Sequence, residues 1–204
     1  VNTPTLPDTP AQRKPAAGRA EQHSTRLLFL LAGFSAAAWA SLVPVAKAAT
    51  GVNEGELGLV LLCLGIGSLL AMPVSGVVST RHGCRKVLMV CGVALCACLP
   101  LLASVQNVFT LAAALFFFGA MIGTFDCVMN IQAVIVERDS KRPLMSGFHG
   151  FYSLGGLLGA ATTSTIMDLG VSPFATVSGI ALAGVLLLMG IRRHVLPYGN
   201  PAEG

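Results

Sequence analysis

Six runs of apolar residues, at positions 27–49, 57–80, 87–105, 108–136, 145–167 and 173–191, are separated only by short polar stretches. A hydrocarbon core of about 30 Å takes about 20 residues of helix to cross. No water reaches backbone N–H and C=O groups in lipid, so each run must bond within itself and be helical. The runs do not alternate at period two, as the strands of an outer-membrane barrel would. The pattern predicts an all-α transmembrane fold, a six-helix bundle. The fourth run is longer than the membrane needs, so its last turns project beyond the bilayer or the helix tilts.

Composition agrees. Only 11% of the residues are charged and 54% are hydrophobic, whereas a soluble domain carries about 25% charged residues. A signal peptide would have one short apolar core followed by a soluble chain; here five more apolar runs follow the first. The six cysteines lack a Cys-x-x-Cys pair and an accompanying histidine cluster. Cys63, Cys91, Cys96, Cys98 and Cys127 lie in apolar stretches and Cys84 in a polar loop, so they read as small hydrophobes with free thiols. The net charge of +4 comes from dispersed loop residues, without the aromatic–basic stripe of a nucleic-acid-binding surface.

The connecting stretches set an orientation. Twelve of the thirteen basic residues fall at one end: Arg13, Lys14, Arg19 and Arg26; Arg81, Arg85 and Lys86; Arg138, Lys141 and Arg142; Arg192 and Arg193. Lys47 alone lies at the other, with Glu54, Glu56 and Asp168. Basic loops stay in the cytoplasm, which predicts two cytoplasmic termini. The expected organisation is a disordered tail over residues 1–25, a six-span domain over 26–193, and a loose tail over 194–204.

Helix contacts are expected at small residues: Gly58, Gly65, Gly67, Ser68, Ala71 and Gly76 in the second run, and the Gly155–Gly159 pair in the fifth. Pro44 and Pro73 are expected to kink or loosen their helices.

A few polar residues interrupt the apolar runs. Asp126 is the most informative, because an acidic side chain at membrane depth marks a functional site by default. Asn130 is one turn further on the same face, and Gly119 and Gly123 precede it, making a small polar face expected to point into the bundle or a wet cavity. Asp126 is expected to carry a proton, bind a solute or anchor packing. Glu137 returns to nearly the same face closer to the loop. His149, with Ser153 one turn on, is placed to line a path and titrate near neutral pH, or to bond a neighbouring span. Lys47 either snorkels outward or attracts an anionic solute. Gln132 and Tyr152 are further hydrogen-bonding candidates, and Trp39 is expected as a cavity wall or a lipid-facing aromatic. No Ser/His/Asp grouping suggests hydrolysis. No phosphate-binding loop suggests use of ATP. No cofactor or metal site is expected.

The stretch Gly76-Val-Val-Ser-Thr-Arg81-His-Gly83-Cys-Arg85-Lys86 resembles the signature of the major facilitator superfamily. Gly76, Arg81, Gly83, Arg85 and Lys86 match its spacing, and Thr80 stands where the family has aspartate. Met129-Asn-Ile-Gln-Ala and Gly147-Phe-His-Gly-Phe-Tyr-Ser-Leu-Gly-Gly resemble a bacterial subgroup of inner-membrane transporters. Members have twelve spans in two six-helix halves around a central cavity, and each half contains two three-helix repeats. The resemblance implies the amino-terminal half of such a carrier, with residues 194–204 at the start of a central loop. It implies a secondary carrier for a small solute, working by alternating access with the Arg81–Lys86 loop as a cytoplasmic gate; Asp126, which can change charge, makes proton coupling one option, and sodium coupling or facilitation are the others. It also implies a homodimer or a complementary six-span half. A truncated, non-transporting fragment or a scaffold is the alternative.

Overall fold

The computed structural model describes residues 18–199. Six α-helices follow in order: α1 (Arg19–Thr50), α2 (Glu54–His82), α3 (Cys84–Ala103), α4 (Val108–Ser140), α5 (Met145–Asp168) and α6 (Pro173–Ile191). A single 3-10 turn, Arg192–His194, ends α6. No strand occurs among the described residues. Five of the helices are long and apolar enough to cross a membrane. The exception is α5, which is 24 residues long but is diluted by Ser, Thr, Gly and His residues.

Helix boundaries follow local chemistry. Gly51, at φ 69°, ends α1. Asn53 then opens α2 with a reciprocal cap: its side chain accepts from Glu56 N at 3.0 Å and its own N–H donates to Glu56 Oε2 at 2.9 Å. This arrangement satisfies donors that a helix start leaves orphaned. Asn107 caps α4 through Thr110 N at 2.9 Å. Ser172 caps α6, whose first residue is Pro173, where a missing N–H costs nothing. Helices α1 and α2 run on through Pro44 and Pro73, and α3 through Pro100.

Two close pairs, α1 with α5 and α2 with α4, meet through α1 and α4, while α3 packs on α4, α6 and α1. Glycine makes both approaches possible. A Cβ on Gly155 or Gly159 would strike the α1 backbone at Leu30 or Phe34, and one on Gly33 would strike the Tyr152 carbonyl. In the second pair, Gly67 meets Phe116, while Gly119 and Gly123 meet Leu64 and Ser68. At Gly119 and Gly123 that face therefore points into the bundle, packed on α2. Gly58, Gly65 and Gly76 face open space and make no helix contact, unlike the sequence expectation. We expect Gly155→Leu to cost at least about 2 kcal/mol, because backbone cannot yield as a side chain can. Gly150→Ala on the same helix meets nothing within 4 Å and should be neutral or slightly stabilising. Thermal unfolding in detergent reads both.

The core has two apolar clusters stacked along the helices. One, near the basic end, is built around Phe29, Leu88, Phe125, Val128, Phe148 and Leu188. The other holds Trp39, Leu42, Leu99, Leu115 and Phe118. Trp39 is only 5% exposed and tilts against Phe118 at 6.4 Å. It therefore belongs to the core and does not face lipid.

The chain ends differ from their expected description. Residues 1–17 and 200–204 lie outside the described residues, but α1 begins at Arg19, within the expected tail. Ser24 and Thr25 are buried there, and Ser24 Oγ donates to His194 O at 2.9 Å. Val195, Leu196 and Tyr198 are buried in the basic-end cluster. These three apolar side chains within four residues pack that segment back onto the bundle.

Candidate functional site

Asp126, half-buried on α4, lies within electrostatic range of His149 on α5, and Tyr152 lies within range of Asp126. The core at this level orients them. Phe29 of α1 stacks on Phe148 at 5.7 Å and meets the His149 ring edge-on at 5.2 Å. Arg26 stands over the other aromatic of this group, 6.0 Å from the Phe148 centroid. His149 is exposed while Phe148 is buried, so the aromatic contact fixes an imidazole that remains accessible. Asn130 is half-buried one turn from Asp126, and its side-chain amide donates to the Asp126 carbonyl at 2.8 Å. Ser153 Oγ donates to the His149 carbonyl at 3.3 Å. A carboxylate, an imidazole and a phenol thus gather on neighbouring helices within one apolar bundle. Such a group can meet a solute with both acceptors and donors.

Two sequence candidates are elsewhere. Gln132 is fully buried. Its Nε2 donates to Thr25 Oγ1 at 3.0 Å, and its Oε1 accepts from Leu196 N at 3.2 Å. Both ends of the amide therefore hold the bundle together. Lys47 forms an ion pair with Glu54 across the α1–α2 turn, at the opposite end from the Asp126 group. Among the described residues no three His, Cys, Asp or Glu side chains converge as metal ligands would.

Glu137 caps a helix. One carboxylate oxygen accepts from both Leu144 N and Met145 N at 2.6 Å, at the start of α5. Lys141, at φ 52°, turns the chain between the two helices. Glu137→Ala should cost about 2 kcal/mol, since two charge-assisted bonds to helix-terminal donors are lost. Glu137→Gln should recover roughly half of that, because the amide oxygen still accepts. Chemical denaturation of the two variants measures the difference.

The α2–α3 loop is a second organised site. Gly76 lies inside α2 and makes no turn; the turn is at Gly83, with φ 81° and ψ 152°. Arg81 and Lys86 are exposed. Thr80 Oγ1 donates to its own helix at Val77 O, 2.8 Å away. Arg85 grips the chain leaving α6: Nε donates to Val195 O at 2.8 Å, and one Nη donates to Arg193 O at 3.0 Å. Backbone bonds run beside these, from Arg85 N to Leu196 O at 2.8 Å and from Cys84 N to Tyr198 O at 3.3 Å. Cys84 is buried, although the sequence places it in a polar loop. Tyr198 is part of the same latch. Its phenol is held above its usual pKa, first by burial and then by the negative charge of Asp139 and Glu21. Nothing in the local pattern of residues 192–199 announces this role except the apolar Val195, Leu196 and Tyr198.

These helices and their polar interior group define a multi-pass membrane protein of all-α architecture. The Major Facilitator Superfamily model matches residues 27–204, and the chain belongs to that family. It is 47% identical, over 92% of its length, to an uncharacterized MFS-type transporter of Yersinia pestis, of which it covers 49%. It is 33% identical, over 78% of its length, to an uncharacterized transporter of Sinorhizobium fredii, covering 42% of that protein. The membrane protein MosC of Rhizobium meliloti is 32% identical over 83% of the chain, which covers 40% of it. The chain spans about half the length of the curated relatives it matches, or less.

Proposed function

We propose that this chain supplies one six-helix half of a secondary carrier for a small solute, working by alternating access with Asp126 as the proton-coupling group. The observation that carries the reading is the grouping of Asp126, His149 and Tyr152 on neighbouring helices of a family whose named relatives include transporters. A carboxylate among apolar helices is costly unless it is used or paired. Asn130 lies on the same helix face and completes the polar lining. The basic end faces the cytoplasm of a bacterial inner membrane, as its concentration of Arg and Lys favours. In that orientation Arg81, Arg85 and Lys86 serve the cytoplasmic gate.

The complete cavity requires a second six-helix wall, from a longer polypeptide, a complementary chain or a second copy. Exposed apolar side chains along α2 and α5 suit such a wall: Leu62, Leu69, Leu157 and Leu158 are all more than two-fifths exposed. Light scattering of the detergent-purified chain, corrected for detergent, tests the requirement. A stable dimer or a defined complex with another six-span chain is the expected result. A folded monomer at working concentration would exclude a second copy as the wall and assign it to a longer polypeptide or a separate six-span chain, or leave the chain a non-transporting fragment or scaffold.

A further inference from the structure

We infer that the junction of α3 and α6 at the basic end binds the headgroup of an anionic phospholipid. A cavity of about 480 Å³ there is lined by Arg85, Lys86, Arg192 and Arg193, together with Met89 and Val90. No acidic side chain is among the residues lining it. Arg85 is held by its bonds to Val195 O and Arg193 O. Those carbonyls fix the guanidinium without neutralising it. Arg192, Arg193 and Lys86 are exposed and need only reorient. Guanidinium groups present paired donors to phosphate oxygens, and basic pockets between membrane helices suit anionic headgroups.

The surroundings favour a lipid over a free anion. The basic residues stand at the start of α3 and the end of α6, where both helices leave the apolar region. Directly along these helices the surface is apolar and open: Val90 is 69% exposed, Leu186 62% and Met189 41%. Lys86 and Val90 also line a second cavity, of about 630 Å³, between α2, α3 and α4. Its walls are largely apolar, with Leu70, Val74, Val78 and Val87 among them. A phosphate seated on the basic residues can therefore pass one acyl chain into the α2–α3 groove and lay the other along α3 and α6. The site stands apart from the Asp126 group and does not depend on the transport reading.

Native mass spectrometry of the purified protein, titrated with phosphatidylglycerol or phosphatidylcholine, tests the inference. The protein should retain one phosphatidylglycerol in preference to phosphatidylcholine. Replacing Lys86, Arg192 and Arg193 together by glutamine should weaken retention roughly a hundred-fold, and Arg192→Gln alone roughly five-fold. The single variant decides the matter if the triple variant aggregates. The pair Arg138→Gln and Arg142→Gln removes two cations from the same end and should leave retention unchanged. Equal retention of the two lipids, or no loss in the variants, would overturn the inference. So would displacement of the lipid by millimolar inorganic phosphate, which would mark a free-anion site.

Discussion

Replacing Gly83 by alanine is expected to destabilise the protein by about 3 kcal/mol and to free residues 193–199 from the bundle. Two effects add. At φ 81° and ψ 152° the residue occupies a region open essentially to glycine, and placing a side chain there costs about 1–3 kcal/mol. A Cβ would also strike the Pro197 carbonyl, so the segment must move. Overpacking against rigid backbone costs a further 1–3 kcal/mol, roughly. Once the segment moves, Arg85 loses its two carbonyl partners and Gln132 loses the Leu196 N–H. Hydrogen exchange at the amides of Arg85 and Leu196 should rise together in the variant, while amides in the middle of α4 keep their protection. Unchanged exchange at both amides would show that the latch is not closed by Gly83.

The second large effect is expected at Asp126. Asparagine keeps the shape and hydrogen-bonding reach of the side chain but neither carries a charge nor exchanges a proton. In membrane vesicles of the assembled carrier, Asp126→Asn should lower solute accumulation driven by a pH gradient roughly ten-fold or more, the effect of about 1.4 kcal/mol or more. Exchange of labelled for unlabelled solute, which needs no net proton movement, should survive. Loss of both at normal expression would assign Asp126 to solute binding or packing. Retention of both would remove it from the mechanism. His149→Gln separates the partner's contribution: it removes the cation that faces Asp126, and lower gradient-driven accumulation with exchange preserved is the expected result.

The helices were legible because hydropathy and loop chemistry act locally. Asn53, Asn107 and Ser172 sit where the helices begin, and Gly51 and Gly83 where they end. What hydropathy could not convey is direction. Gln132 and Asp126 are both polar residues in one apolar helix. One is sealed between Thr25 and Leu196 and the other is near His149, and only the packing of α1 and the chain after α6 distinguishes them. Glycine was ambiguous for the same reason. Gly67 meets a helix and Gly65, two residues away, meets nothing. The sequence placed Glu137 near the Asp126 face but not as a helix cap, because its partners are backbone N–H groups seven and eight residues later, which carry no side-chain signature. The chain after α6 looked loose from its Pro and Gly content, yet Arg85 and three buried apolar side chains hold it.

Accessibility of the α4 interior face tests the central claim without knowledge of the solute. Asp126 lies fourteen residues from the end of α4, about 21 Å along the helix. In a protein whose six native cysteines are replaced, single cysteines at 126, 130, 93 and 182 would be treated in membranes with a thiol reagent that does not enter lipid. A carrier half predicts that positions 126 and 130 react, because they border a water-filled path, and that positions 93 and 182 on α3 and α6 stay inert. If 126 and 130 are as inert as 93 and 182, the Asp126 group is sealed packing and the account of a transport pathway along α4 fails.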